Sequence, residues 1–169
     1  FVIGLAPGVH GANKTGRMFT WDSSGTWLYG ALFRHGFASR PTSSGPGDGL
    51  KLSGGWISAA ARCAPPANKP LPAELAACRP FLDEEIRRLA GTVTLFLTLG
   101  RIAQLALLKV LGLRPRDYPF GHDVEQRLPD GRVLVNSYHP SRQNTNTGRL
   151  TPDQWDAVFS RCRRRLDGP

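Results

Sequence analysis

A single carboxylate, Asp22, shares a glycine-rich stretch with an imidazole, His10, an amide, Asn13, two cations, Lys14 and Arg17, and an aromatic, Phe19. That mixture suits a neutral, flat, partly polar ligand attached to phosphate. The stretch runs from Gly4 to Gly25, after the apolar Phe1-Val2-Ile3 and before Trp27-Leu28-Tyr29-Gly30-Ala31-Leu32-Phe33, whose apolar positions suit a helix. It reads as a long loop between a buried strand and a helix, the place where open α/β sheets put their ligands. Glycines there let a ligand approach main-chain N–H groups closely. Neither the dinucleotide fingerprint nor the P-loop pattern is present in it.

The elements around this loop follow from spacing. Ser23 or Ser24 can cap a helix to about Arg34, with Trp27, Leu28, Ala31 and Leu32 facing the core. Gly36 to Gly49, rich in Ser, Pro and Gly, is a surface loop. Trp56 to Arg62 is a second parallel strand, whose small side chains suggest close packing beneath a site. A helix from Pro72 to about Leu89 keeps Leu75, Cys78, Phe81, Leu82 and Ile86 at helical spacing. Val93 to Leu99 has the nearly continuous apolar character of a strand covered on both faces. A helix follows from Gly100 to about Gly112; Val124–Leu128 and Arg132–Asn136 flank a Pro129-Asp130-Gly131 turn and end the sheet. Thr151-Pro152-Asp153-Gln154 is a capping box opening a helix that carries Trp155, Val158, Phe159 and Cys162. Such alternation predicts one α/β domain over residues 1–169, a three-layer α/β/α sandwich with a central, mainly parallel four-stranded sheet.

The balance of charge narrows the partner. With 22 Lys+Arg against 13 Asp+Glu, the chain carries a formal net charge of +9, which favours a polyanion. A GC-rich genome and a solvated surface would give the same excess of arginine. No apolar run approaches the length of a membrane span and no signal peptide is visible, so nucleic acid is preferred to a membrane. A cytoplasmic, nucleoid-associated monomer is expected.

Three ordered motifs then carry a resemblance. Gly4-Leu5-Ala6-Pro7-Gly8 with Asn13-Lys14-Thr15-Gly16-Arg17 and Phe19-Thr20, then Arg62-Cys63-Ala64-Pro65-Pro66-Ala67-Asn68-Lys69-Pro70, then Ser137-Tyr138-His139-Pro140-Ser141-Arg142-Gln143-Asn144-Thr145-Asn146-Thr147-Gly148-Arg149-Leu150 span nearly the whole chain. In this order they resemble the motifs of family 5 (B-type) uracil-DNA glycosylases. Trp21 departs from that pattern, which usually has glycine before the aspartate.

The resemblance implies hydrolysis of the N-glycosidic bond of uracil in double-stranded DNA, with single-stranded DNA as a further partner. It implies a flipped base, an oriented water and an abasic product. Leu5 and Ala6 stand where other uracil-DNA glycosylases carry a polar residue, which supports a wider range of deaminated bases such as hypoxanthine or xanthine. Asp22 would orient water and stabilise the sugar cation; the alternative is that it caps the following helix. His139 would donate to the departing base or to phosphate, and Asn68 would position water or base, unless it is simply a turn residue. Phe19 would stack on the base or else fill core. Gly4, Leu5, Ala6 and Gly8 would supply base-edge hydrogen bonds, with His10 and Asn13 as weaker members of the pocket. Lys14, Arg17, Lys69, Arg142 and Arg149 would bind phosphate, or be solvated charge. Ser141, Gln143 and Asn144 belong to a stretch, up to Arg149, expected to enter the duplex. A non-catalytic protein that binds damaged DNA is the rival reading.

The cysteines add a cofactor. Cys63 and Cys78 have spacing like half of the family's four-cysteine [4Fe–4S] site, which implies two further ligands, and a helix, upstream of Phe1. Cys162, on the inner face of the last helix, is expected in the core.

Overall fold

The computed structural model describes residues 1–168. Five strands form one sheet: β1 Val2–Gly4, β2 Ile57–Ala59, β3 Leu95–Leu99, β4 Val124–Arg127 and β5 Val133–Ser137. Their order is β2-β1-β3-β5-β4. The four strands other than β4 run parallel, and β4 pairs antiparallel with β5. The expected four strands are therefore the parallel set, and the Pro129-Asp130-Gly131 turn adds a fifth as an edge. A hairpin can add an antiparallel strand at little cost, whereas each parallel strand needs a crossover.

The helices are α1 Ala12–Thr15, α2 Ser23–Arg34, α3 Pro72–Arg88, α4 Arg101–Val110, α5 Arg142–Asn146 and α6 Pro152–Asp167. One face of the sheet buries Val2, Leu95, Leu97, Leu99 and Val135 against Leu28 and Leu32 of α2 and Trp155, Val158 and Phe159 of α6. The other buries Ile3, Phe96 and Leu134 against Leu82 and Ile86 of α3 and Ala103, Leu107 and Leu108 of α4. This is the three-layer sandwich. Cys162 is buried in the first layer and burial pushes its thiol up to about 12.

Two helices depart from the spacing. The N-cap of α2 is Asp22, not Ser23 or Ser24: its side chain accepts from the Gly25 N–H at 2.7 Å. In α3 only Leu82 and Ile86 are buried, while Phe81 is exposed and sits under the Arg62 guanidinium, 5.6 Å from its ring centroid. No residue of α3 before Leu82 is buried, so Cys78 lies half-buried outside the core.

The carboxyl ends of β1, β2 and β5 release the three motif loops at the same sheet edge. No helix among the described residues is long and apolar enough to cross a membrane.

Candidate active site

The first motif loop is folded back on itself around Thr20, which is fully buried and bonds the Arg17 carbonyl at 2.9 Å and the Thr15 hydroxyl. On either side of it Phe19 and Trp21 take left-handed backbone, φ 60° and 57°. Gly11 and Gly25 make this turn possible. A Cβ on Gly11 would stand 2.0 Å from the Thr20 carbonyl oxygen, and one on Gly25 would stand 2.0 Å from that of Phe19. The Tyr29 hydroxyl on α2 donates to the Met18 carbonyl at 2.7 Å and fixes the approach to the turn.

Asp22 emerges from this turn with its two oxygens in different employment. Oδ1 accepts from Gly25, while Oδ2 faces Gly8 across the loop, 3.4 Å from where a Cβ there would lie. The helix-cap reading is therefore correct as geometry, and it leaves one oxygen over. Burial pushes the carboxyl above its ordinary range, opposed by the N–H groups of Gly25 and Ser24 and by Arg142. A cleft of about 400 Å³ opens beside it, lined by Phe19, Trp21, Asp22, Arg40 and Arg142 among others. That is the size of a small-molecule site. A larger hollow at the end of α6 contains no motif residue, and its Arg161 and Arg165 are paired with Asp123 and Glu125.

His139 comes from the end of β5 to the Phe19 ring; like Asn68, it does not itself line the cleft that holds Asp22. Its ring stacks beside Phe19, with centroids 6.0 Å apart, and burial lowers its pKa to about 4, so the imidazole is neutral at pH 7. Two bonds hold its loop: Ser24 Oγ of α2 donates to the Pro140 carbonyl at 3.0 Å, and Asn144 Nδ2 donates to the His139 carbonyl at 2.8 Å. Because Ser24 is two residues from Asp22, the first bond sets Asp22 and His139 in one frame.

Phe19 is both buried and at the cleft. It is 4% exposed, packs with the core and presses its ring edge against Gly4, where a Cβ would lie 2.7 Å from Cζ. The Gly4 and Leu5 carbonyls already accept from Ala60 and Ala61, so base-edge bonds to them would be second bonds, and the Gly8 carbonyl already accepts from both Gly11 and Asn13; Leu5 and Ala6 are half-buried. His10 and Asn13 are exposed and do not line the cleft.

Asn68 lies in a one-turn 3₁₀ segment, Pro66–Asn68, exposed and with φ 56°. It does not line the cleft that holds Asp22.

The cations divide. Lys14, Lys69, Arg142 and Arg149 are exposed, and Arg149 lies over Tyr138, 4.5 Å from its ring centroid. Arg17 differs, being spent on Asp48 at 2.7 Å and Ser43 at 2.9 Å. The Asp48 carboxyl is held far below the usual range, first by the Leu50 N–H and then by Ser43 and Arg17. Arg17 thus braces the Gly36–Gly49 loop. Ser141 is the N-cap of α5, and Arg142, Gln143 and the exposed tip to Arg149 lie beyond it.

With this geometry in place, the comparisons are decisive. The model of the uracil DNA glycosylase superfamily matches residues 1–163. The chain belongs to that superfamily. It is 50% identical over 163 residues to a Type-5 uracil-DNA glycosylase of Thermus thermophilus, covering 96% of this chain and 74% of that protein. Against its Mycobacterium tuberculosis counterpart it is 44% identical over 164 residues, 96% of this chain and 61% of the relative. A Pyrobaculum aerophilum Type-5 enzyme is 39% identical over 161 residues, 95% of this chain and 69% of the relative.

The bracing roles of three residues escaped the sequence reading: Ser24, Tyr29 and His122, which bond the motif loops at Pro140, Met18 and Tyr138. His122 receives the Tyr138 N–H on Nδ1 at 3.3 Å and reaches the Gln154 carbonyl through Nε2 at 3.3 Å, so the neutral tautomer protonated on Nε2 satisfies both. It buttresses the chain one residue before His139. Its only sequence signal was being a histidine in a loop.

Proposed function

We infer that this chain hydrolyses the N-glycosidic bond of uracil in DNA as a monofunctional repair glycosylase, leaving an abasic site. The observation that carries the reading is the half-used Asp22 carboxylate at the cleft, in a chain of this superfamily.

The bond breaks through a cation-like sugar and a departing anionic base, so the site needs negative charge on one side and a donor on the other. Asp22 Oδ1 is anchored, which leaves Oδ2 to orient a water and to face the sugar cation. Burial raises the Asp22 pKa, which makes the ionised carboxylate a stronger base towards that water. His139, neutral through burial, can donate to the leaving base oxygen without first losing a proton. Asn68 would act from the second motif loop, and Phe19 would form a wall for the flipped base. Leu5 and Ala6 offer no polar side chain to discriminate base edges, which supports hypoxanthine and xanthine as additional substrates.

A [4Fe–4S] cluster is a second part of the proposal. The Arg62 N–H donates to Cys78 Sγ at 3.3 Å, so Cys78 lies beside the backbone of Cys63, and both thiols lie outside the core. Among the described residues no third His, Cys, Asp or Glu joins them. The pair fits half of a four-thiolate site, the remaining ligands coming from chain upstream of Phe1. A cluster held there would cross-link the Asn68 loop to α3. Anaerobically purified protein with its natural N-terminal segment should carry about four irons, lost in Cys63→Ser and kept in Cys162→Ser. Stoichiometric zinc would overturn this.

The activity itself is tested by single-turnover assays on duplexes with one uracil, hypoxanthine or thymine. Uracil should be released and the strand cut only after alkali. Tight binding without release would support the non-catalytic rival, and borohydride trapping of a covalent adduct would replace water with an amine nucleophile.

A further inference from the structure

Trp21 is the most exposed large apolar side chain among those described, at 64%, and it occupies left-handed backbone with φ 57°. For a bulky residue that conformation is a genuine outlier, kept only where the surroundings over-determine it. They do so here. Gly11 and Gly25 lie against the turn on both sides, Thr20 is buried and hydrogen-bonded before it, and Asp22 is capped onto α2 after it. The reversal sends Phe19 and Thr20 inward and the indole outward. The protein thus bears both backbone strain and an exposed indole at one position, on the rim of the cleft it shares with Asp22, Arg40 and Arg142.

We propose that Trp21 is a stacking platform for the base next to the flipped nucleotide on the damaged strand, and so a substrate-positioning residue. The proposal rests on the glycosylase reading above. Trp21 and Asp22 are adjacent, so their Cα atoms are about 3.8 Å apart. Neighbouring bases on one strand are separated by about 3.4 Å. Both side chains line one cleft, so if Asp22 faces the sugar of the flipped nucleotide, the exposed indole is within reach of the adjoining base on that strand. Arg142, lining the same cleft and interacting with Asp22, is placed for the phosphate between them. The groove carries two guanidiniums, Arg40 and Arg142, beside the carboxylates of Asp22 and Asp48, and an exposed π-face next to an arginine that can take a phosphate is a combination that holds an unpaired or partly unstacked base of any sequence.

The test uses duplexes containing 2′-fluoro-2′-deoxyuridine, whose glycosidic bond resists cleavage because fluorine destabilises the sugar cation, with 2-aminopurine beside it or opposite it. Trp21→Ala should weaken binding by roughly 5- to 160-fold, the range of base–aromatic stacking, and Trp21→Phe should recover most of it. The saturated single-turnover rate on uracil should fall by a smaller factor. Wild-type protein should quench 2-aminopurine beside the lesion, and Trp21→Ala should not. Trp21→Gly should bind as poorly as Trp21→Ala yet melt at a higher temperature, because glycine accepts the positive φ; a purely structural tryptophan would not separate the two. Wild-type binding by Trp21→Ala and Trp21→Gly, or quenching confined to the opposite base, would overturn the platform. Failure of the glycosylase reading would show instead as wild-type protein that binds and quenches but releases no uracil.

Discussion

Four of the five non-glycine residues with positive φ among those described lie in two of the motif loops: Phe19 and Trp21 in the first, Ala67 and Asn68 in the second. The local conformation is the same and the support is not. The first loop is compressed between Gly11 and Gly25, bonded through Thr20 and Tyr29, and braced through Arg17 and Asp48. The second is exposed from Pro66 to Lys69, turns through two backbone bonds to Pro65 and Pro66, and is tethered mainly at Arg62, through Cys78 Sγ and a 2.7 Å ion pair with Glu85. A group that must face a reacting atom within a fraction of an ångström needs the first kind of support. The second kind holds Asn68 only through its own turn and the Arg62 tether.

The largest effect should come from the clamped loop. Asp22→Asn keeps a good N-cap, since Asn and Asp are nearly equivalent there, but removes the charge on the free oxygen. Removal of a positioned acid–base group costs about 10²–10⁴ in rate. Single-turnover uracil release should slow by that order while the melting temperature and DNA affinity change little. Full activity in this variant would refute the mechanism and with it the value assigned to the clamp.

Next in size is the clamp itself. Gly25→Ala places a Cβ against the Phe19 carbonyl, so the turn must shift and carry Asp22 with it. A misplacement of about 1 Å can cost about 10²-fold. The rate should therefore fall up to that far, with a lower melting temperature. Gly91→Ala, where a Cβ meets nothing within 4 Å, is the control and should change neither.

The contrast also explains what was legible in the sequence. The three motifs, the parallel strands and the α6 capping box are local patterns, and each element formed where its pattern predicts, although β2 keeps only Ile57–Ala59 of Trp56 to Arg62 and β3 only Leu95–Leu99 of Val93 to Leu99. Arg17 looked like a free cation because its partner Asp48 is 31 residues away in a loop without periodicity. Ser24 looked like a cap, and its bond to Pro140 spans 116 residues. Phe81 kept core spacing next to Leu82, yet it lies on the outer side of α3 and meets the Arg62 guanidinium instead of the core. Spacing reports which side of an element is apolar, and tertiary reach decides what that side meets.

The pH dependence of stability tests how His139 is held. Its folded pKa is about 4, below the ordinary 6.5, so the unfolded chain takes up the proton first. The stabilisation from this group is complete above pH 6.5 and is lost as pH falls from 6.5 towards 4, at up to about 1.4 kcal/mol per pH unit. His139→Gln should remove that part of the slope, read by denaturant melts across the window. Asp22, with its pKa raised, acts in the opposite sense, its contribution lost as pH rises through the folded value. An unchanged slope in His139→Gln would mean that the ring is as open to water as the Asn68 loop.

Smaller again is the effect of salt. Five motif cations would give a slope of log K against log salt near −4.5, but with Arg17 committed to Asp48 the four exposed ones give about −3.6. Arg142→Gln should reduce the slope by about 0.9 and Arg17→Gln should leave it unchanged. Equal losses from both would show that the brace opens onto DNA.

The smallest effect concerns the strain left in the second loop. Ala67 takes φ 51° with nothing comparable to Gly11 or Gly25 pressed against it, and left-handed backbone costs an alanine about 1 kcal/mol. Ala67→Gly relieves that strain, although glycine returns part of the gain as unfolded-state entropy. The melting temperature should rise by no more than about 2–4 °C, the shift expected for 1 kcal/mol in a chain of this size. The uracil-release rate should fall, because the same freedom loosens Asn68 one residue later. If the rate is unchanged, Asn68 takes no part in the reaction and the second loop is structural only. If the melting temperature drops instead, packing or a cross-link across Cys63 and Cys78 favours the left-handed Ala67, and the two loops are clamped alike.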